Sequence, residues 1–173
     1  MPLRAPIDAV CFDWGGTLMS EAGPEALPMG MWPEVSAISG ARECLATLYG
    51  LAPLCIATNA TVSRRPMIER ALARVGLRDY IATIFCYTEL GYRKSQPEFW
   101  RVVESALQVP LARIAMVGDS LEHDALAPRT FGVQAVWFNE GGLRTPANAG
   151  VPEVRSLVEF AELVRRAVRA GSP

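Results

Sequence analysis

The stretch "CFDWGGTL", residues 11–18, decides how the rest of the chain is read. A mostly apolar run, "IDAVCF" (7–12), stops at Asp13, and Trp14, Gly15, Gly16 and Thr17 follow at once. Short runs of this kind, bounded by turn residues, suit a strand covered on both faces. Such a strand would carry the Asp13 carboxylate at its tip, and the two glycines would let the backbone turn sharply behind it. An aspartate followed by glycines is also an ordinary turn former. The stretch therefore needs partners elsewhere in the chain before it speaks of chemistry.

Working outward, the same pattern recurs. "PLCIAT" (53–58), "TIFCY" (83–87), "RIAMVG" (113–118) and "VQAVWF" (133–138) read as four further strands. Between them lie helical patterns at 40–50, 64–76, 96–109, 123–132 and 154–171, the fourth interrupted by Pro128. Alternating strands and helices predict a three-layer, doubly wound α/β domain, Rossmann-like, with a five-stranded parallel sheet. One domain over residues 1–173 suits a chain of this length. Segment 19–39 is the irregular part, with three prolines and two glycines. It reads as a loop insertion or minimal cap, with Met29, Met31 and Trp32 as an apolar patch at its mouth.

Composition excludes several classes. The formal net charge of −1 argues against a general nucleic-acid binder, which must neutralise a run of phosphates. The four cysteines form no CxxC pair and the single histidine is His123, so a zinc site is not expected and the thiols read as buried apolar residues in a reducing compartment. No basic segment followed by a long apolar stretch opens the chain, and no apolar run nears the ~20 residues that span a bilayer. The sequence reads as that of a cytoplasmic protein without membrane partners.

Parallel α/β sheets bind ligands beyond the carboxyl ends of their strands. The residues there form a coherent set: Asp13, then Thr58 and Asn59, then Lys94 before a helix start, then Asp119 and Asp124 in "VGDSLEHD". Crowded carboxylates repel one another unless a cation joins them, and all-oxygen ligands suit Mg²⁺. Each member has a plainer alternative. Asp119 could cap a helix, Asp124 could sit in a helix's first turn, and Thr58-Asn59 could cap the helix that follows them.

Taken together, "FDWGGTL" (12–18), "IATNA" (56–60), "GYRKSQPEFW" (91–100) and "MVGDSLEHDALAPRTFGVQAVWF" (116–138) resemble, in order, the four motifs of the haloacid dehalogenase-like hydrolase superfamily. The resemblance implies that Asp13 attacks phosphorus to form an aspartyl-phosphate. It implies Mg²⁺ held by Asp13, the main-chain carbonyl of Gly15 and Asp119. Thr58 and Lys94 would act with Asp13 on the phosphoryl group. Gly16, Thr17, Asn59 and Trp14 would face substrate, and Asp124 would orient Lys94 or a metal-bound water from behind.

The sequence departs from that family in two places. Phosphatases of the superfamily usually carry a second aspartate two positions after the nucleophile, as general acid and base; here the position is Gly15. General acid–base help is worth typically 10²–10⁴-fold. Its loss implies slow phosphatase turnover, or hydrolysis of the dehalogenase type through an aspartyl ester, or a weakened Mg²⁺- and anion-binding regulatory module. The second departure is the lack of room for a substantial cap. In that superfamily an open site goes with macromolecular substrates, or with a homo-oligomer whose neighbour covers the site; the phosphorylated substrate itself, small or macromolecular, is left unnamed.

Overall fold

The computed structural model describes residues 3–144 and 150–170. Six strands form one parallel sheet: β1 (Ala9–Phe12), β2 (Leu54–Thr58), β3 (Thr83–Cys86), β4 (Ile114–Gly118), β5 (Gln134–Phe138) and β6 (Glu153–Val154), in the order β3-β2-β1-β4-β5-β6. The parallel, doubly wound sheet expected from the sequence is present, with one strand more. β6 holds two residues and pairs with β5. A run that short carries no periodicity to read.

Alternation along β1 builds two cores. Val10 and Phe12 face one cluster, with α1 (Ala41–Leu48), α2 (Arg65–Arg74) and α6 (Leu157–Ala170). There Phe12 meets Phe160 edge to face, with ring centroids 5.7 Å apart. Ala9 and Cys11 face the other cluster, with Phe99, Trp100 and Val103 of α4 (Pro97–Leu107). A short α3 (Tyr87–Leu90), not anticipated, directly follows β3. All four cysteines are buried free thiols. Gly171, the expected end of the last helix, lies outside the described residues. Among those residues no helix is long and apolar enough to cross a membrane.

The helix expected at 123–132 begins earlier. A π-helical turn, Leu121–Leu126, runs into α5 (Ala127–Thr130). Pro128 then falls in the first turn of α5, where its missing N–H costs little, and does not interrupt a helix.

Chain order fixes where the site lies. From β1 the chain winds through β2 to β3 on one side, returns to β4 on the other side of β1, and continues to β5 and β6. The reversal falls between β1 and β4, and the crevice of such a sheet opens at that point. β1 and β4 are in register from Ala9↔Ile114 to Phe12↔Val117, and the Asp13 amide donates to the Val117 carbonyl at 2.9 Å. Asp13 and Asp119 are thus delivered side by side.

Segment 19–39 is bound down and not loose. The Ser20 amide donates to the Ser36 carbonyl and the Ile38 amide to the Leu18 carbonyl, both at 2.9 Å, closing the base of the excursion. Its far end is held against α2: Arg74 donates to the Trp32 carbonyl at 2.6 Å and the Pro33 carbonyl at 2.9 Å. The expected apolar patch is corrected here. Met29 and Trp32 are 4% and 6% exposed and belong to the core, which leaves Met31 alone at 57%.

Candidate active site

Three strand ends, one loop and one helical turn converge. Asp13 follows β1, Thr58 ends β2, Lys94 lies between α3 and α4, and Asp119 follows β4 with Asp124 in the π-helical turn. Lys94, the only lysine of the chain, is 2% exposed. Its Nζ lies 2.7 Å from Asp13 Oδ1 and 2.6 Å from Asp124 Oδ1. Burial opposes its charge, but the two carboxylates outweigh that and hold its pKa above the ordinary lysine value.

The backbone of Lys94 is held from both ends. Its amide donates to Asn59 Oδ1 at 2.9 Å, and its carbonyl accepts from Trp100 Nε1 at 2.8 Å. Asn59 therefore orients the lysine with the atom the sequence suggests for substrate. Trp137 serves Asp119 in the same way, its indole N–H donating to the Asp119 carbonyl at 2.9 Å. Both tryptophans lie in largely apolar stretches of the sequence. A buried indole N–H usually finds an acceptor, and a tryptophan next to a site motif in the fold is the signal that was available.

Thr17 is fully buried and bridges the two aspartates. Its hydroxyl lies 3.0 Å from Asp13 Oδ2 and 3.3 Å from Asp119 Oδ1, and it accepts from the Asp119 amide at 3.1 Å. The hydroxyl suggested by sequence for substrate is thus engaged with protein groups. Gly16 has φ of +79°, and a Cβ there would come within 2.5 Å of Asp119 Oδ2. Glycine is required on both counts. A Cβ on Gly118 would likewise collide with the Asp124 carboxylate.

Asp124 does two things that the sequence left as alternatives. Its Oδ2 accepts from the Ser120 amide at 2.9 Å, which secures the start of the π-helical turn, while Oδ1 faces Lys94. Thr58 Oγ1 accepts from the Ala60 amide at 3.1 Å. It does not cap a helix, because α2 starts only at Arg65. Trp14 is buried in the core, and its indole nitrogen has no hydrogen-bond partner among the described residues. His123 is exposed, and Arg93 stacks over Tyr87 at 4.3 Å.

The charges do not balance within this cluster. Oxygens of Asp13, Asp119 and Asp124 all lie within 4.8 Å of one another, against one ammonium. Burial raises the carboxyl pKa of Asp13, with Asp119 adding to the rise, and that of Asp119, with Asp124 and Glu21 adding to it. Burial, with Asp13 second, pushes Asp124 up to about 6 against the pull of Lys94. Glu21, at the start of the 19–39 segment, is raised as well, by burial first and then by Asp13, Glu25 and Asp124. A divalent cation fits such a set, since the donors are hard oxygens and the excess charge is negative. Asp124 is bound to Lys94 and the Ser120 amide, so a cation would be held by Asp13, beside its own contacts to Lys94 and Thr17, and by Asp119.

Residues 30–132 match the model of the haloacid dehalogenase-like hydrolases. The chain is 30% identical over 155 residues to the pyrimidine 5'-nucleotidase YjjG of Escherichia coli, covering 87% of this chain and 68% of that protein. It is 32% identical over 127 residues to a phosphoserine phosphatase of Thermus thermophilus, 72% of this chain but only 47% of that protein, so it spans about half of that relative's length. A solved structure from Listeria monocytogenes serotype 4b shares the fold with a TM-score of 0.80 at 24% identity, covering 94% of this chain and 99% of that one. With the motifs placed in order on adjacent strand tips and the family model matching more than half its length, the chain belongs to the haloacid dehalogenase-like hydrolases.

Proposed function

We propose that the protein is a Mg²⁺-dependent phosphoric monoester hydrolase working through an aspartyl-phosphate at Asp13. One observation carries this reading: Asp13 and Asp119 stand on adjacent strands, joined through the Thr17 hydroxyl, with the buried Lys94 ammonium against Asp13. The nearby relatives named above act on a nucleotide and on phosphoserine. What those substrates share is the phosphomonoester, so the reading stops at that bond and does not name the alcohol.

The residues have the following parts. A carboxylate oxygen of Asp13 attacks phosphorus, the bond to the ester oxygen breaks, and the alcohol departs. Lys94 offsets the negative charge gathered on Asp13 and the phosphoryl oxygens. Asp124 keeps that ammonium in place. Thr58 and the main-chain turn at Gly15 and Gly16 cradle the phosphoryl group. Asp13, Asp119 and the Gly15 carbonyl would hold Mg²⁺, which when bound supplies charge neutralisation for phosphoryl transfer.

Assay with p-nitrophenyl phosphate tests the reading. Turnover that requires Mg²⁺ and is lost in Asp13→Asn supports it. Metal-independent halide release from a 2-haloacid would replace it by carbon–halogen hydrolysis at the same aspartate. Mg²⁺ binding with no turnover of either substrate would replace it by a regulatory module.

A further inference from the structure

The unanswered feature of the first motif is Gly15, where phosphatases of the family place their acid–base carboxylate. The structure shows what stands there. An ideal Cβ built on Gly15 would fall inside the contact distance of Glu21 Oε1 and within 3.0 Å of the Glu21 carboxyl carbon. The nearest atoms in that space all belong to Glu21. Gly15 itself is not among the glycines of positive φ. Nothing in the local backbone demands glycine at this position; what excludes a side chain is a carboxylate arriving from six residues downstream.

Three further observations bear on its use. Glu21 is solvent-accessible, and among the described residues its carboxylate makes no hydrogen bond or ion pair, so it is not engaged in holding the fold. It comes from the base of the 19–39 segment, beside the Ser20 amide that donates to the Ser36 carbonyl, so the backbone carrying it is fixed. It also lines a cleft of about 240 Å³ with Trp14, Glu25, Leu27, Trp32 and Val62. That cleft starts one residue from Asp13 and is where the alcohol part of an ester would lie. Glu21 thus sits between the phosphoryl turn and the leaving-group space.

We propose that Glu21 is the acid–base residue of this enzyme, supplying from the 19–39 segment the carboxyl group that position 15 lacks. The proposal rests on the phosphatase reading above. Asp13 forms its bond to phosphorus as the bond to the ester oxygen breaks; the electron pair goes to that oxygen, which takes the Glu21 proton and leaves as the alcohol. Water then attacks phosphorus and gives a proton to the Glu21 carboxylate, and the Asp13–phosphorus bond breaks to release phosphate and restore both carboxyl groups.

The test compares kcat/KM on two esters, p-nitrophenyl phosphate and a primary alkyl phosphate, in wild type, Glu21→Ala and Glu21→Ala with Gly15→Asp. kcat/KM reports the steps through phosphoryl transfer, and only the alkoxide needs a proton to leave. Glu21→Ala is expected to lose about 10²–10⁴-fold on the alkyl ester and about tenfold or less on the aryl ester. Moving the carboxylate back to position 15 is expected to restore most of the alkyl activity, which no purely structural role for Glu21 would produce. Unchanged activity of Glu21→Ala on both esters, or an equal loss on both that Gly15→Asp does not repair, overturns the proposal while leaving Asp13-dependent turnover intact as support for the phosphatase reading. Wild type that hydrolyses neither ester overturns both.

Discussion

The strand-tip cluster and the 19–39 segment are both irregular and both largely buried, but opposite physics holds them. Asp13, Lys94 and Asp124 are 7%, 2% and 2% exposed, and they are held by charge against charge. Met29 and Trp32 are held by apolar contact, and the polar groups of their segment are tied mostly to backbone: Trp32 Nε1 to the Leu27 carbonyl at 2.9 Å, Arg74 to two carbonyls. The first region is a site whose stability depends on its charge state. The second is a scaffold whose stability does not, and that leaves Glu21 at its base free of structural duty.

The largest expected effect separates chemistry from stability. Asp13→Asn keeps the shape of the side chain and should lower kcat by about 10⁴-fold or more, with a melting temperature close to wild type, as read by steady-state assay and thermal unfolding. Lys94→Met should act on both. It leaves two buried carboxylates without their cation, at a cost of about 3–5 kcal/mol, or roughly 10 °C in melting temperature for a domain of this size. Trp32→Ala should cost a similar ~3 kcal/mol through the cavity it opens. Mg²⁺ distinguishes the two variants: it should recover part of the Lys94→Met loss and add to Trp32→Ala only what it adds to wild type.

Acidity sharpens the same contrast. The folded pKa of Asp124, about 6, is raised from 3.8, so its contribution to stability is fully present below 3.8 and is lost as pH rises through 6. Without Mg²⁺ the protein should therefore lose about 2 kcal/mol on account of this group between pH 4 and 7. At a hundred times its dissociation constant Mg²⁺ should stabilise by about 2.7 kcal/mol, and the same concentration should stabilise less at pH 5 than at pH 7.5. Calorimetry at the two pH values, with and without the metal, checks the sign. The smallest effect belongs to Met31→Ala, expected within about 0.5 kcal/mol of wild type, because that side chain is 57% exposed.

The comparison also explains what the sequence could tell. The sheet was legible because each central strand is an apolar run that ends in a residue of distinct chemistry, and because "VGDSLEHD" and "CFDWGGTL" end strands that the topology makes neighbours. β6 was too short to leave a pattern. The burial of Met29 and Trp32 was illegible because it depends on where α2 lies, and a segment rich in proline and glycine has no period that announces an inward face. Glu21 was missed for a related reason. Its place opposite Gly15 is set by the chain closing back on itself, with Met19 bridging to Gly15 and to Ala37, and spacing along the sequence does not reveal a closure of that kind.

The central claim is that Asp13 takes the phosphoryl group. Wild type mixed with p-nitrophenyl phosphate and Mg²⁺, quenched in acid during turnover and digested for mass spectrometry, tests it directly. The account predicts one phosphoryl group on the peptide containing Asp13, removed by hydroxylamine and absent in Asp13→Asn. Turnover at a normal rate with no phosphoryl-enzyme, or with the phosphoryl group on another residue, would contradict it.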